Sequence, residues 1–368
     1  MGVAILLLMG LAQGSANAEP VSSVDSDETV VFFPTFAYPT AAGDWELRFH
    51  GWIHERTRSQ ALFAKLCDEF GVEEGKLTPA ERDILVARLD PFLVDNERGE
   101  TIVVMLGKRR VTLNPSEPNG HFKGTARLSE AEVRPLRRGG GDGPDRMWFR
   151  AALPKGDPRV FDGEVFLLPA EGISVISDID DTIRISNVLN RRELIRGTLL
   201  RPFEAVPGMA ARYCEWRQGG ATFHYVSAGP WQLFEPLSRF LLQAGFPAGT
   251  FHMRPFRLTD GTALAMFESP EPFKIAMIEE ILQSLSRRRF ILVGDSGERD
   301  PEVYGEIARR HPGRVERIFI REVRSEAPAE RYERAFAGLA AETWKVFDDP
   351  ASLGEADHKS LQRDQIGE

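Results

Sequence analysis

Residues 173–182 read ISVISDIDDT, a largely apolar run that ends in three carboxylates. Such a run, bounded by turn residues, is typical of a strand that is buried on both faces. Further strands are expected at 221–227, 250–253, 289–295 and 315–321, and helices at 207–217, 231–244, 272–286 and 301–310. Because strands alternate with helices, residues 172–325 are predicted to form an α/β domain with a Rossmann-like, doubly wound parallel sheet.

Polar side chains stand at or shortly after the ends of three predicted strands. In a sheet of this kind ligands bind beyond the carboxyl ends of the strands, so these side chains should meet in one site. Lys274 opens a helix between the second and fourth strands and completes the set. The candidate residues are Asp178, Asp180, Thr182, Ser227, Ala228, Gly229, Lys274, Asp295 and Asp300.

The chemistry of this set suits phosphoryl transfer. Asp178 and Asp295 would repel each other unless a cation lay between them, and hard carboxylate oxygens without His or Cys select Mg²⁺. A phosphoryl group bound there would find the Ser227 hydroxyl as a donor and the Lys274 ammonium as a positive charge. An aspartate can act as the nucleophile through an aspartyl-phosphate, and an acid two residues along the strand can protonate the leaving oxygen.

Two of the aspartates have structural interpretations. Asp181 is interpreted as a turn or cap residue. Asp300 is expected either to lie near the metal or to cap a helix that begins at Pro301. Neither acidic cluster matches a calcium-binding loop, because the loop glycine and the distal Glu are misplaced.

Longer strings carry a more specific resemblance. VISDIDDTIRISNV (175–188), YVSAGPWQLFEPL (225–237) and ILVGDSGERDPEVYGEIARRHPGRV (291–315) resemble the actin-patch-associated phosphatidate phosphatase family and its bacterial relatives. The catalytic domain of that family is of the haloacid-dehalogenase type. The resemblance covers roughly residues 173–324, with DIDDT, a strand-end Ser, Lys and GDSGERD in the family's order.

The resemblance implies a Mg²⁺-dependent phosphatase that converts phosphatidate to diacylglycerol. Family members usually carry His immediately before the lysine, where this chain has Phe273, and the preceding residues 259–272 are also atypical. This departure bears on the identity of the substrate, because the four catalytic elements themselves are all in place. The implied roles are nucleophile for Asp178, acid/base for Asp180, phosphate binding for Ser227 and Lys274, and metal binding for Asp295. We also expect Asp178, Asp180 and Asp300 to bind the metal, and Thr182, Ala228 and Gly229 to bind substrate.

The chain before residue 172 has a different pattern. Short runs rich in β-branched and aromatic residues predict a β-sandwich-like domain over 19–171. Residues 58–95 are expected to form a helical insertion, because apolar residues recur at helical spacing and Thr78-Pro79-Ala80-Glu81 resembles a helix start. The tail, 326–368, is expected to hold one helix at 328–344 and an acidic end.

The first 18 residues have the pattern of an export signal. Val3–Leu11 is an apolar run, and Ala16-Asn17-Ala18 is a small-x-small cleavage pattern. No Lys or Arg precedes Arg48, so either the terminal amine alone supplies the positive charge or the true start lies upstream. The alternative to an export signal is a buried N-terminal helix in a cytoplasmic protein. We expect export to the periplasm or beyond, and no later apolar run approaches the roughly 20 residues of a membrane helix. Cys67 and Cys214 fall in different predicted domains and are expected to be free.

Composition limits the function classes. Of 368 residues, 42% are hydrophobic and 27% charged, which excludes a wholly disordered chain or a coiled-coil rod. The net charge of −9 disfavours a general nucleic-acid binder.

The leading hypothesis is a lipid phosphatase, and the alternatives are the same chemistry on a soluble phosphomonoester or phosphoprotein, or a non-catalytic binding protein. A serine esterase is disfavoured, because the GDS at 294–296 lies late in the chain and lacks a later Asp-x-x-His.

The segment after DIDDT is rich in arginine and too short for a large cap domain. An open site with arginines that attract an anionic head group is therefore expected, together with peripheral contact with a membrane. The alternative is a solvated charged face. The arginines are Arg184, Arg191, Arg192, Arg196 and Arg201.

Overall fold

The computed structural model contains two sheets in the part of the chain that it describes, one on each side of residue 170. The expected export signal, residues 1–18, and most of the atypical stretch before Phe273 lie outside that part. Within it, no helix is both long enough and apolar enough to cross a bilayer. The described residues are 19–57, 59–140, 143–256, 271–323 and 329–353.

The N-terminal sheet is organised around one long strand, β3 (Trp45–Arg56). The other strands are β1 (Glu28–Phe32), β2 (Thr35–Pro39), β4 (Val94–Asn96), β5 (Val103–Leu106), β6 (Arg109–Thr112), β7 (His121–Leu128), β8 (Arg137–Gly140), β9 (Gly143–Ala151) and β10 (Asp162–Leu167). The first half of β3 alternates buried and partly exposed residues, because one of its faces packs on a core. Four strands, β1, β2, β4 and β7, pair antiparallel with it. The described strands thus form one continuous sheet, and the predicted β-sandwich-like arrangement is not confirmed.

Helices α1 (Gln60–Glu69) and α2 (Pro79–Leu89) occupy the predicted insertion between β3 and β4. Thr78 begins α2: its hydroxyl accepts a hydrogen bond from the Glu81 N–H, and the Glu81 carboxylate accepts one from the Thr78 N–H. This reciprocal cap is the feature that the sequence pattern indicated. A short helix, α3 (Glu130–Val133), precedes β8.

The C-terminal sheet is parallel throughout, as predicted. Its strands are β11 (Ile173–Ser177), β12 (Thr222–Pro230), β13 (Thr250–Arg254), β14 (Arg289–Asp295), β15 (Val315–Arg321) and β16 (Trp344–Phe347), and its helices are α4 (Arg191–Leu199), α5 (Met209–Gln218), α6 (Phe234–Gln243), α7 (Glu271–Ser284), α8 (Asp300–Arg310) and α9 (Ala329–Ala335). The strand order is β13-β12-β11-β14-β15-β16, so the chain runs from β11 to one edge and then returns to the other side. The reversal between β11 and β14 is where such sheets bind ligands.

The tail differs from its predicted form. One helix was expected at 328–344, but α9 ends at Ala335, and Gly338 follows with a φ of 82° that favours glycine and turns the chain. Residues Trp344–Phe347 then pair with β15 as a sixth parallel strand. Four residues between charged segments are too few to give a recognisable strand pattern. Helix α4 was not predicted either.

The two sheets share a hydrophobic core. Phe33, from the N-terminal part, stacks on Trp231 with ring centroids 4.0 Å apart, and both rings are buried. The Arg48 guanidinium also bonds to the Glu280 carboxylate at 2.6 Å. Cys67 is buried in this core and Cys214 is half-buried, and both thiols are free, as predicted. The N-terminal part therefore supports the C-terminal sheet through packing.

Replacing Phe33 with alanine tests this packing. Since Phe33 is buried against Trp231, the variant should lose about 3–5 kcal/mol of unfolding free energy, measured by denaturant titration. Trp148, which is 54% exposed on β9, provides the control, and its change to alanine should stay within about 0.5 kcal/mol. Equal effects of the two substitutions would show that the shared core contributes little.

Candidate active site

Three neighbouring strands bring polar side chains to one edge of the C-terminal sheet. Asp178 directly follows β11, and its N–H donates to the Val293 carbonyl of β14 at 2.9 Å. Ser227 lies in β12, and Asp295 is the last residue of β14. Because parallel strands present their carboxyl ends together, these three side chains converge, and all three are buried.

Lys274, from α7, lies buried among carboxylates at this edge. Its ammonium is 2.9 Å from Asp178 Oδ1, 3.0 Å from Glu298 Oε2 and 2.6 Å from Asp300 Oδ1. Asp300 is the first residue of α8, and its other oxygen, Oδ2, accepts the Asp295 N–H at 3.2 Å. Asp300 thus connects the lysine to the end of β14, which is more than a helix cap would do.

The carboxylates fit a hard divalent cation. Asp178, Asp295 and Asp300 each place one oxygen within 4.8 Å of the others. Asp295 Oδ1 accepts the N–H groups of Gly297 at 2.6 Å and Glu298 at 3.1 Å, whereas its Oδ2 is buried and has no hydrogen-bond partner among the residues that the structure describes. An orphaned buried carboxylate oxygen is costly, and a cation would satisfy it. An all-oxygen donor set of this kind suits Mg²⁺.

Protonation equilibria reflect this crowding. Burial is the main cause that raises the pKa of Asp178 well above its usual range, and it outweighs the opposing effect of the Lys274 ammonium. Burial, followed by the negative charge of Asp300, also raises the pKa of Asp295 well above its usual range. Burial alone would lower the pKa of Lys274, but its three carboxylate neighbours raise it well above the usual value, so the side chain is an ammonium. One ammonium among four carboxylates leaves an excess of negative charge for a cation to offset.

Asp295→Asn tests the repulsion between Asp295 and the neighbouring carboxylates directly. Because the pKa of folded Asp295 is raised, the stability that this group contributes is present below its unfolded pKa, about 3.9, and is lost as the pH rises through the folded value. In chelator at pH 7.5 the variant should therefore melt at least ~2 °C above the wild type, and the difference should shrink as the pH falls towards 4. Thermal unfolding at both pH values measures it. A lower melting temperature for the variant at pH 7.5 would contradict repulsion in the cluster.

Asp180 is held apart from this group. Its Oδ1 accepts hydrogen bonds from the Arg184 guanidinium and, at 2.6 Å, from the Ser186 hydroxyl. Burial would raise the pKa of Asp180, but Arg184 and Ser186 together hold it below its usual range. The Asp180 carboxylate is therefore not grouped with Asp178, Asp295 and Asp300, and its metal role stays a prediction. Arg184 is buried, so its interpretation as a surface arginine is wrong.

Asp181 and Thr182 shape the motif. Asp181 has a φ of 52°, and its carboxylate accepts three backbone N–H groups from residues 186–188. This is the turn role that the sequence indicated. The Thr182 hydroxyl donates to Asp178 Oδ2 at 3.3 Å and so orients the aspartate, and its contact with substrate stays a prediction.

A cavity of about 110 Å³ opens beside the carboxylates. Most of the predicted site lines it: Asp178, Asp180, Ser227, Ala228 and Gly229. The rest of its lining is mixed: Arg184, Thr198 and Glu298 are polar, and Val188, Leu194, Phe203, Pro230, Leu233 and Leu237 are apolar. Since Leu194 belongs to α4, the segment after DIDDT forms one wall of the site, so the site is less open than predicted. Leu233 and Leu237 are buried and also face the cavity.

Several functional candidates were not apparent from the sequence. Glu298 lies within GDSGERD, yet its contact with Lys274 depends on how α7 docks.

Phe273 packs on the core beside a second cavity, between the two sheets, and does not line the active-site cavity. Arg191, Arg192 and Arg196 line a groove against the helical insertion. Arg196 is paired with Glu81, and Arg201 with Glu193.

Comparison with known proteins agrees with this geometry. Residues 173–322 match the family model described as the catalytic domain of phosphatidate phosphatase APP1. Phosphatidate phosphatase APP1 of Saccharomyces cerevisiae is 33% identical over 154 residues, which are 41% of this chain and 26% of that protein. Uncharacterized protein C29B5.04c of Schizosaccharomyces pombe is 34% identical over 172 residues, 46% of this chain and 28% of that protein. The match thus spans about a quarter of the length of these relatives, and it confirms the predicted resemblance for this segment.

A solved structure, described as a putative beta-phosphoglucomutase from Thermotoga maritima, is 13% identical and covers 49% of this chain and 97% of its own. The TM-score is 0.30, which is too low to support an argument about fold or function.

Proposed function

We propose that this chain, whose residues 173–322 resemble the APP1 catalytic domain, is a Mg²⁺-dependent phosphatase that hydrolyses a phosphomonoester, with phosphatidate as its preferred substrate. The observation that carries the proposal is the buried cluster in which Asp178, Asp295 and Asp300 bring oxygens together beside the Lys274 ammonium. It lies where the strand order reverses. When bound there, Mg²⁺ would neutralise charge on the transferred phosphoryl group.

The chain's own residues supply the remaining chemistry. In the proposed first step an Asp178 oxygen attacks phosphorus, the bond from phosphorus to the alcohol oxygen breaks, and Asp180 gives that oxygen a proton. In the second step a water molecule attacks phosphorus, Asp180 takes its proton, and the Asp178 carboxylate leaves with phosphate released. The Lys274 ammonium and the Ser227 hydroxyl would hold the phosphoryl oxygens.

Arg184 and Ser186 favour the second step. By holding the pKa of Asp180 below its usual range they keep it ionised, which is the state needed to accept a proton from water. The same contacts fix the orientation of the carboxylate towards the cavity. Proton donation in the first step then requires the negative phosphate beside Asp180 to favour its protonated form.

Asp180→Asn should separate substrates by leaving group. An amide cannot protonate the departing oxygen, so turnover of alkyl phosphates should fall by about 10²–10⁴. The loss on nitrophenyl phosphate should be clearly smaller, because its leaving group needs little protonation. Steady-state rates on both substrates measure this. Equal losses would assign Asp180 a structural role.

The cavity walls favour an amphiphilic substrate. Six apolar side chains stand next to the carboxylates, and burial of apolar substrate atoms against them would add to binding. This apolar part of the lining supports an acylated substrate such as phosphatidate, and the polar part, which includes Arg184, Thr198 and Glu298, would face its head group. The second candidate keeps the chemistry and changes the substrate to another soluble phosphomonoester or a phosphoprotein.

Phosphate release from a panel of substrates tests the proposal. Phosphatidate in mixed micelles, glycerol phosphate, nitrophenyl phosphate and a phosphopeptide should be compared, each with Mg²⁺ and with chelator. We expect phosphatidate to give the highest kcat/KM and chelator to abolish turnover of every substrate. Preference for glycerol phosphate or the phosphopeptide would reject the lipid substrate while keeping the chemistry. Turnover that persists in chelator would reject the metal-dependent mechanism.

A further inference from the structure

The loop between β14 and α8 carries three of the site's carboxylates, those of Asp295, Glu298 and Asp300. Helix α9, which lies beyond residues 173–322, contacts the outside of this loop through Arg331. The side chain of Arg331 is 13% exposed. Its role is not explained by the resemblance, since the matched segment ends before it.

Arg331 binds the loop at three points. Its guanidinium donates to the main-chain carbonyls of Ser296 and Glu298. It also forms a two-pronged ion pair with Glu302 on α8, with Nε at 2.9 Å and the second nitrogen at 3.0 Å from the carboxylate oxygens. A planar guanidinium with several donors suits such multiple contacts, whereas an ammonium does not.

One of these contacts is linked to the metal site through a single peptide group. The Ser296 carbonyl, bound by Arg331, and the Gly297 N–H, bound to Asp295 Oδ1 at 2.6 Å, belong to the same planar trans peptide. Arg331 and Asp295 thus hold opposite sides of that peptide. While this N–H occupies Oδ1, the other Asp295 oxygen, Oδ2, is buried and has no partner within the described part of the chain.

A second contact supports the same loop. The Ser296 hydroxyl donates to Glu322, and the hydroxyl of Tyr332, the neighbour of Arg331, donates to the other oxygen of the same carboxylate. The Val323 N–H in turn donates to the Ser296 hydroxyl at 2.9 Å. Helix α9 therefore holds both the backbone and the side chain of Ser296.

We propose that Arg331 is a positioning residue for the metal site: it fixes the Ser296–Gly297 peptide, which in turn fixes Asp295 with Oδ2 free to bind the cation. The proposal rests on the proposed function in that the cation is Mg²⁺. It also extends the functional unit to α9, past the predicted domain boundary at residue 325.

Mg²⁺ binding to the full chain tests the proposal by calorimetry. Arg331→Met should weaken Mg²⁺ binding about 10-fold or more, the range typical for groups that orient metal ligands, and Arg331→Lys should lie between it and the wild type. Loss of a nearby positive charge would by itself strengthen cation binding. Weaker binding would therefore identify positioning as the cause.

Arg314 provides a matched control. Its guanidinium also donates to main-chain carbonyls, those of Arg288, Leu282 and Leu285, at the opposite end of the C-terminal sheet. Arg314→Met should lower the melting temperature as Arg331→Met does but leave Mg²⁺ binding unchanged. Unchanged binding in Arg331→Met, or equal weakening in both variants, would overturn the proposal.

Amide hydrogen exchange in chelator separates this proposal from the proposed function. The Gly297 N–H should exchange faster in Arg331→Met than in the wild type and in Arg314→Met. Failure of the wild type to bind Mg²⁺ would reject the proposed function, and the exchange rate would still report whether Arg331 fixes the peptide. An unchanged rate would reject the positioning role.

Discussion

Asp178→Asn is expected to abolish phosphate release, by a factor of about 10⁴ or more, and to leave the fold intact. The amide cannot attack phosphorus, and it removes one oxygen from the proposed cation site. The fold should persist because the backbone N–H of residue 178 keeps its bond to the Val293 carbonyl. Because burial raises the pKa of Asp178, loss of its charge also relieves repulsion in the metal-free protein. Rates on nitrophenyl phosphate and a thermal melt measure both effects.

Beryllium fluoride, a mimic of an aspartyl-phosphate, supplies an independent check. It should inhibit the wild type in the presence of Mg²⁺ and should not bind Asp178→Asn. A purified Asp178→Asn protein with near-normal activity would reject Asp178 as nucleophile.

Lys274→Met is expected to reduce both activity and stability. The ammonium is buried against Asp178, Glu298 and Asp300, so its removal leaves these carboxylates without the positive charge that balances them. Breaking a buried pair in this way typically costs about 3–5 kcal/mol. Activity should fall by about 10²–10³, the loss typical for one group that stabilises the transition state. Denaturant unfolding and kcat measure the two effects.

The pH dependence of the stability of Lys274→Met distinguishes unbalanced carboxylate charge from lost packing as the cause of the destabilisation. Protonation of the carboxylates at low pH removes the unpaired charge, so the stability deficit of Lys274→Met should shrink from pH 7.5 to pH 5. Lys76→Met, at a lysine whose side chain is 74% exposed and paired with Glu73, should change stability by less than about 0.5 kcal/mol. A deficit that is the same at both pH values would indicate lost packing.

Much of the C-terminal sheet was predictable because its signals are local. Each strand is a short apolar run, each helix separates two runs, and the parallel arrangement follows from that alternation. The same rule places Asp178, Ser227 and Asp295 together, since each stands at a carboxyl end. Asp181 was also predictable, because a short acidic side chain after a strand commonly caps a turn.

Other features depend on contacts between distant segments. Arg184 resembles a surface arginine in sequence, but in the structure its guanidinium lies 4.4 Å from the Phe203 ring centre and bonds to Asp180. Glu298 joins the site because α7 brings Lys274 beside it, and Arg331 lies in a predicted tail helix whose sequence carries no motif that indicates a role at the site. The arrangement of the N-terminal strands was unpredictable for the same reason, since β3 pairs with strands far apart in the chain.

Phosphate release by the purified wild type, with Mg²⁺ and with chelator, tests the central claim most directly. Asp178→Asn, prepared in parallel, controls for contaminating phosphatases. We expect rapid release by the wild type in Mg²⁺, recovery of that rate when Mg²⁺ is restored after chelation, and no release by the variant. Release that is independent of Mg²⁺, or equal in wild type and variant, would contradict the account of the Asp178, Asp295 and Asp300 cluster as the centre of a metal-dependent phosphatase.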